Sequence, residues 1–357
     1  MLMLGIETSC DETAAAVVEE TGSSGGGAFP PRWVLRSNVV ASQADIHREW
    51  GGVVPELASR QHVRDICGVV ERALEQAGMR LDEIDGIAVT EGPGLVGSLL
   101  VGVSFAKSLA AARKLPLVPV HHLAGHIESL FLQNGPLALP SVVLVVSGGH
   151  TSLYLVTAPG VYRLLGRTRD DAAGEAYDKV AKLLGLGYPG GPIVDRLARQ
   201  GNDRAIDLPL TRITHADRNA PQLPGRLDFS YSGLKTAVLR HVDTRKAGGA
   251  WPPSDQEVAD LCASFQRVVV ESLLDRLFAA AEQYGAASAG IAGGVSANSR
   301  LRADAVARGE KIGLPVYIPS LALSPDNAAM IAAAGLRRFA AGVRAGADLN
   351  ADASLTL

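Results

Sequence analysis

Leu4-Gly5-Ile6-Glu7, Thr8-Ser9-Cys10-Asp11-Glu12-Thr13, Ala14-Ala15-Ala16-Val17-Val18: the chain opens as a strand, a polar turn and a returning strand. The scheme restarts near residue 141. Ser141 to Val146 is an apolar run rich in valine, Ser147-Gly148-Gly149-His150-Thr151 is a second polar turn, and Ser152 to Val156 returns. A helix-and-strand half follows each hairpin, which predicts an internal duplication: an α/β protein of two like lobes with a cleft between them.

Thr21 to Pro31 is rich in Gly and Ser and reads as a hairpin tip, after which Trp33 to Ser42 resumes β-type residues. Pro55 to Met79 is predicted helical, with Leu57, Val63, Ile66, Val70 and Leu74 as its apolar stripe. Ile84 to Thr90 and Leu117 to Val120 read as short buried strands. Between them Glu91-Gly92-Pro93-Gly94 leads into a helix carrying Leu99, Val103 and Leu109. In the second half, helices are expected around Ala173–Leu184, Ile193–Gln200 and Ser232–Arg240, with a long one over Ser254–Tyr284. A strand at Ser288–Ile291 ends in Gly293-Gly294-Val295-Ser296-Ala297-Asn298. The lobes are placed at 1–135 and 136–324, with a C-terminal helix at about 325–345 returning to the first. Residues 346–357 lack periodicity and are expected to form a disordered tail.

The chain has 357 residues, 47% of them apolar and 20% charged, a globular composition. Cys10, Cys67 and Cys262 are scattered, with no CxxC pair, which fits a reducing cytoplasm better than a disulfide scaffold. No basic leader precedes Leu4. The longest apolar stretch, about Leu95 to Ala112, is broken by Ser98, Ser104, Lys107 and Ser108. It reads as a buried helix, so no membrane association is expected. A formal net charge of −3 gives no sign of a polyanion-binding surface; an RNA partner would need a local basic patch or a second protein.

Small residues in the two turns let the backbone approach a phosphate, and N–H groups of a tight turn point at its oxygens. Either turn alone is equally a simple hairpin closure. Paired at corresponding positions, with Gly293-Gly294 as a third Gly-rich strand end, they favour a nucleotide. Asp11 and Glu12 lie in the first turn, where a carboxylate handles a cation or a proton.

His122 and His126 stand four apart, so on a helix both imidazoles share one face and can hold one ion. The spacing matches the zinc-peptidase signature H-E-x-x-H, but Leu123 occupies the position of its glutamate base. Asp326, in Ser324-Pro325-Asp326-Asn327, is the candidate third ligand, carried back by the C-terminal helix; it is also a plausible helix start. Two imidazoles and a carboxylate suit iron, zinc or manganese. Asp178 and Asp195 lie near Gly-rich breaks, where a carboxylate can take two ribose hydroxyls or simply face solvent.

These segments together resemble the universal family of tRNA N6-adenosine threonylcarbamoyltransferases, formerly described as glycoprotein endopeptidases. The matching runs include Gly5-Ile-Glu-Thr-Ser-Cys-Asp-Glu-Thr13, Gly51-Gly-Val-Val-Pro-Glu-Leu-Ala-Ser-Arg60, Glu91-Gly-Pro-Gly-Leu-Val-Gly-Ser98, His122-Leu-Ala-Gly-His126, Val145-Val-Ser-Gly-Gly-His-Thr151, Tyr188-Pro-Gly-Gly-Pro192, Phe229-Ser-Tyr-Ser-Gly-Leu-Lys235 and Gly293-Gly-Val-Ser-Ala-Asn298. They extend from residue 4 to about 335.

The resemblance implies the duplicated fold of actin, the heat-shock ATPases and the sugar kinases. It implies transfer of a threonylcarbamoyl group from threonylcarbamoyl-AMP to N6 of adenosine 37 in tRNAs reading ANN codons, forming t6A and releasing AMP. By the same resemblance, His122, His126 and Asp326 hold one divalent ion, iron by family habit, with zinc and manganese as alternatives. Val145, Val146, Ser147, Gly148, Gly149, Asp178, Gly191, Asp195 and Asn298 match the adenylate-binding positions. Asp11 or Glu12 would take the proton of the attacking amine. The implied partners are the tRNA anticodon loop, a catalytically inactive paralogue and a small ATPase. Arg226, Lys235, Arg240, Arg245 and Lys246 are candidates for a local tRNA-binding patch. The segments 21–31 and 244–253 look longer than usual and should be surface loops. A metal-dependent glycoprotein endopeptidase and an ATP-dependent kinase or ATPase of the same fold are the rival readings.

Overall fold

The computed structural model describes residues 1–22, 32–213, 215, 221–223, 225–249 and 251–357, so the expected hairpin tip at 21–31 lies outside them but for Thr21 and Gly22. The chain divides into two units. Unit 1 takes Met1–Leu137, Pro159–Val161 and Pro319–Leu357; unit 2 takes Ala138–Ala158 and Tyr162–Ile318.

Unit 1 begins with β1 (Leu2–Glu7), β2 (Glu12–Thr21) and β3 (Arg32–Ser42), then α1 (Ala44–Arg48) and α2 (Pro55–Ala77). β4 (Gly86–Gly92), α3 (Val96–Arg113), β5 (Leu117–His121) and α4 (His122–Asn134) follow. Its sheet runs β3-β2-β1-β4-β5. β1 pairs antiparallel with β2 and parallel with β4.

Unit 2 repeats the plan with β6 (Ser141–Val146), β7 (Thr151–Ala158) and β8 (Val161–Arg167), then α5 (Ala173–Leu183), α6 (Gly190–Ala198), α7 (Ser232–Ala247) and α8 (Asp255–Gln283). β9 (Ser288–Ala292), α9 (Ser299–Ile312) and β10 (Val316–Tyr317) close it. Its sheet runs β10-β9-β6-β7-β8, the first order read from the other edge. β6 again pairs antiparallel with its hairpin partner β7 and parallel with β9. The duplication expected from the two hairpins is present strand for strand. The α6–α8 region, β8 and α9 lengthen the second copy, and the segment at 244–253 is partly helical, since α7 runs to Ala247.

Strand alternation explains the packing of unit 1. Met3, Ala14, Ala16 and Val18 face one side of the sheet and bury against α10 (Ala328–Ala340), while Leu4, Ile6, Ala15 and Val17 face the other, under α2 and α3. α10 lies so close to β1 that a Cβ on Gly5 would sit 2.3 Å from the Ala328 carbonyl oxygen. α3 is long and apolar enough to cross a membrane by composition alone. Its Ser98, Leu99, Gly102, Val103, Ala106 and Ala110 are buried, and it packs on α2 and β4 as a one-sided surface helix.

The expected disordered tail is instead an ordered strap. Ala345 bridges Leu117, the Asp352 N–H donates to the Glu91 carbonyl, and the Gly94 N–H donates to that of Ala353. Lys107 Nζ donates to the Leu349 carbonyl at 2.8 Å. The strap is held mainly through its backbone, which needs no side-chain periodicity.

Candidate metal centre and adenylate cradle

α4 starts at His122, so His122 and His126 project from one face of its first two turns, with rings edge to face and centroids 4.8 Å apart. Asp326 comes from the turn before α10. The cap of that helix is Asn327, whose side chain accepts from the Met330 N–H, so Asp326 is not spent on capping. Its Oδ1 lies 3.0 Å from His126 Nε2 and 3.6 Å from His122 Nε2. Donor atoms bound to one cation at about 2.1 Å are separated by roughly 3.0–3.4 Å at octahedral or tetrahedral angles. One atom from each of the three residues lies within 4.8 Å of the others, an open three-donor set that fits a divalent ion.

Behind His122 stands Glu7, fully buried at the end of β1. The His122 Nδ1–H faces Glu7 Oε2 at 3.0 Å and Ser9 Oγ at 3.1 Å, which leaves Nε2 for the cation. Thr90 donates to the same carboxylate oxygen at 2.9 Å, and the Ser9 N–H donates to the other. Glu7 therefore fixes the tautomer and orientation of His122. His126 has no such support: its Nδ1 is buried without a hydrogen-bond partner among the described residues. Sequence reading missed Glu7. The available signal was a carboxylate in a strand otherwise buried and apolar, where only a satisfied charge survives.

Asp11 and Glu12 are half-buried beside this centre, with Glu12 already the first residue of β2. Burial, then Asp11, Asp326 and Glu7, push the Glu12 carboxyl well above the usual carboxylate range. Burial and the same acidic surroundings push Cys10 well above an ordinary thiol, so Cys10 is neither a thiolate nucleophile nor a ready ligand. Burial works against charge on His122, yet Asp326 and Glu7 on its two sides raise it to about 9.

That value has a sign for the cation-free protein. An unfolded histidine titrates near 6.5, so the stabilisation from charged His122 is full below about 6.5 and is lost as pH rises through about 9. Urea midpoints of the cation-free protein are expected to fall between pH 6 and pH 9.5. The fall should be clearly smaller in His122→Asn; an equal fall in both proteins rules the contribution out.

In unit 2 the adenylate candidates lie around one rim. The Val145–Gly149 turn leaves β6, with the Ser147 N–H donating to the His150 carbonyl at 2.8 Å. Gly174 of α5 packs on this turn so tightly that a Cβ would sit 2.6 Å from the Ser147 carbonyl oxygen. Gly293, at φ 91°, closes on the Val146 backbone. Asp178 accepts from the Gly190 N–H at 2.7 Å, joining α5 to α6. Two residues are largely committed to the framework. Asp195 Oδ1 accepts from Gln266 and from Ser299, and its Oδ2 accepts from Arg199. Asn298 caps α9 through Leu301 and donates to Gln266 Oε1 at 2.8 Å.

The glycines divide by what a side chain would meet. Gly174, Gly190 and Gly293 are packed against backbone, whereas a Cβ on Gly148, Gly149, Gly191 or Gly294 would meet nothing within 4 Å. None of the latter four needs a left-handed backbone. Folding alone does not explain their missing side chains; a ligand close to the backbone does. Gly294 is a member of this set that the sequence reading did not single out as a site residue.

The basic residues 226–246 do not make a free patch. Arg226 donates to Gln283, Lys235 pairs with Asp171, Arg245 pairs with Glu257, and Lys246 lies over the Trp251 ring. Each cation is engaged locally, which lowers the charge offered to a polyanion.

The chain aligns over 94% of its length with full-length HypF in its phosphate- and nucleotide-bound form, covering 55% of that protein at a TM-score of 0.55 and 12% identity. It also aligns over 96% with component A of the (R)-2-hydroxyglutaryl-CoA dehydratase of Acidaminococcus fermentans, covering 99% of that chain at a TM-score of 0.51 and 15% identity. With the duplicated sheets, these likenesses place the fold in the actin, heat-shock ATPase and sugar-kinase class.

The family model of the tRNA N6-adenosine threonylcarbamoyltransferases matches residues 34–333. Proteins of that name from Anaeromyxobacter dehalogenans and Koribacter versatilis are 54% and 50% identical over 98% and 100% of this chain, and over 98% and 99% of their own lengths. The chain belongs to the tRNA N6-adenosine threonylcarbamoyltransferase family, a family of tRNA-modifying transferases.

Proposed function

We propose that the chain moves the threonylcarbamoyl group of threonylcarbamoyl-AMP onto N6 of the adenosine beside the anticodon of tRNAs reading ANN codons, forming t6A and releasing AMP. The observation that carries this reading is the convergence of His122, His126 and Asp326 within 4.8 Å, with the Asp11–Glu12 turn alongside. The donor is a mixed anhydride, so no enzyme nucleophile is required. Holding donor and acceptor in reacting geometry supplies on the order of 7–11 kcal/mol in the ideal case.

Each group has a role that follows from its place. Gly148, Gly149, Gly191 and Gly294 leave room for the adenylate, Asp178 offers a carboxylate at the rim of this cradle, and Asp195 and Asn298 fix its walls. His122, His126 and Asp326 hold a divalent ion, iron by family habit with zinc or manganese as alternatives. Such an ion polarises donor oxygens and offsets charge as AMP leaves. Glu12, or Asp11 beside it, takes the amine proton, and a carboxyl lifted above its usual range is better matched to that task at neutral pH.

The rival readings have less support. A peptidase needs a base within the histidine motif, where Leu123 stands, and the nearby Glu7 is bound to His122 Nδ1. Kinases of this fold hold their ion with carboxylates, not imidazoles. We place the protein in the cytoplasm, working with a catalytically inactive paralogue and a small ATPase.

The test is reconstitution with threonylcarbamoyl-AMP, unmodified tRNA and those partners, followed by nucleoside analysis. Absence of t6A overturns the reading, and cation-dependent cleavage of a glycoprotein by protease-free material would restore the peptidase. The cradle has its own test. Gly191→Ala is expected to keep or slightly raise thermal stability, since alanine favours the helix and meets no neighbour, while adenylate affinity falls about tenfold or more. Unchanged affinity by titration calorimetry would remove Gly191 from the site.

A further inference from the structure

We infer that a buried hydrogen-bond chain through His47, Gln43 and His62 orients the Cys10–Glu12 turn, with His62 as the positioning residue at its end. The inference rests on the reading of that turn as part of the transfer site.

All three side chains are buried in unit 1, His47 and His62 completely. Their bonds fix a direction. The Val54 N–H donates to His47 Nδ1 at 3.3 Å, so the His47 proton is on Nε2, where it faces Gln43 Oε1 at 3.2 Å. The Gln43 amide N–H lies 3.3 Å from His62 Nδ1, and the Thr13 hydroxyl lies 2.8 Å from the same nitrogen. His62 Nδ1 is therefore the acceptor, and its Nε2–H donates to the Cys10 carbonyl at 2.9 Å. The Gln43 main-chain N–H donates to the Asp11 carbonyl at 3.0 Å. Two successive carbonyls of the acidic turn are thus held from α1 and α2.

A neutral ring is required at both histidines, because a charged imidazole has no acceptor nitrogen. Burial lowers the pKa of His62 and keeps it neutral. A fold needing only mass at this position would be served by apolar side chains; a directed polar chain instead selects one orientation of the peptide planes it grips. The turn is short and closed by β1 and β2, so it forms without His62. The aim of Asp11 and Glu12 beside Asp326 depends on those planes.

The experiment compares His62→Leu, which removes donor and acceptor, with His62→Gln, which keeps one of each, in the reconstituted transfer reaction. The leucine variant is expected to lose kcat by about ten- to hundredfold, the range of groups that orient a site from behind. KM for tRNA and for the adenylate, and affinity for Co²⁺, should stay within about twofold, and glutamine should restore most of kcat. A folded His62→Leu protein with kcat within about twofold of the parent, or a glutamine variant as slow as leucine, overturns the inference.

Glu12→Gln and Asp11→Asn separate the two readings: full activity in both with a slow, glutamine-rescued His62→Leu defeats the proton-acceptor reading and leaves the positioning role standing. If His62→Leu does not fold, imidazole ¹⁵N shifts of the unmodified protein decide. Neutral Nε2–H tautomers at His47 and His62 support the chain, and an Nδ1–H tautomer at either overturns it.

Discussion

His126→Ala is expected to lose cation affinity by about a thousandfold or more, and transfer activity with it. Removing a group that merely orients a metal ligand costs about 10–100-fold, and His126 is one of only three donors in the proposed set. The remaining pair, His122 Nε2 and Asp326 Oδ1, stands at 3.6 Å and has one imidazole between two carboxylates. That pair favours a proton on His122 over a cation. The fold should survive, because His126 Nδ1 makes no hydrogen bond among the described residues and the cavity left is small for a helix so thoroughly buried. Co²⁺ absorption or calorimetry measures the first loss, and nucleoside analysis of the tRNA product measures the second. Retained cation affinity in a folded variant would defeat the ligand assignment.

Gly5→Ala should destabilise unit 1 by on the order of 3 kcal/mol or more, above the usual overpacking range because backbone must yield. The added Cβ would lie 2.3 Å from the Ala328 carbonyl oxygen, 2.7 Å from the Ala332 nitrogen and 2.9 Å from the Ala332 Cβ. None of these is the end of a flexible side chain. Gly335 makes the reciprocal approach, its added Cβ reaching 2.3 Å from that of Ala88. Against a typical total of about 5–15 kcal/mol, such a loss is large. Cation affinity should fall in parallel, since the segment displaced begins just after Asp326. A urea midpoint unchanged from the parent would mean that α10 can shift outward at little cost.

What the sequence discloses depends on whether a feature repeats. The alternation from Leu4 to Val18 and its echo at Ser141–Val156 announces both sheets, because each residue declares its face. The long helix is bounded to within a residue by Ser254, whose side chain accepts from the Glu257 N–H as an N-cap. The pair His122 and His126 is legible for the same reason, one helical turn.

Features built on single long-range contacts are not legible. Glu7 meets His122 across 115 positions, and Gln43 and His62 find each other only once α1 and α2 are packed. Asp326 and Asn327 are interchangeable as a helix start on paper; only the bond from the Met330 N–H assigns the cap to Asn327. The last dozen residues were hidden for another reason. Their attachment runs through the carbonyls of Ala353 and Leu355 and the N–H of Asp352, groups that every residue carries.

The strap and α10 have a consequence for synthesis. His121 caps α4 and also reaches the Leu355 carbonyl, while the sheet face of Met3, Ala88 and Val118 is covered by Ala328–Leu336. Unit 2 is drawn almost entirely from 138–318, so its residues leave the ribosome while 319–357 are still to be added. The lobe translated first is therefore the last to close. The histidines wait on the nascent chain, made but without their aspartate, until nearly the whole message has been read.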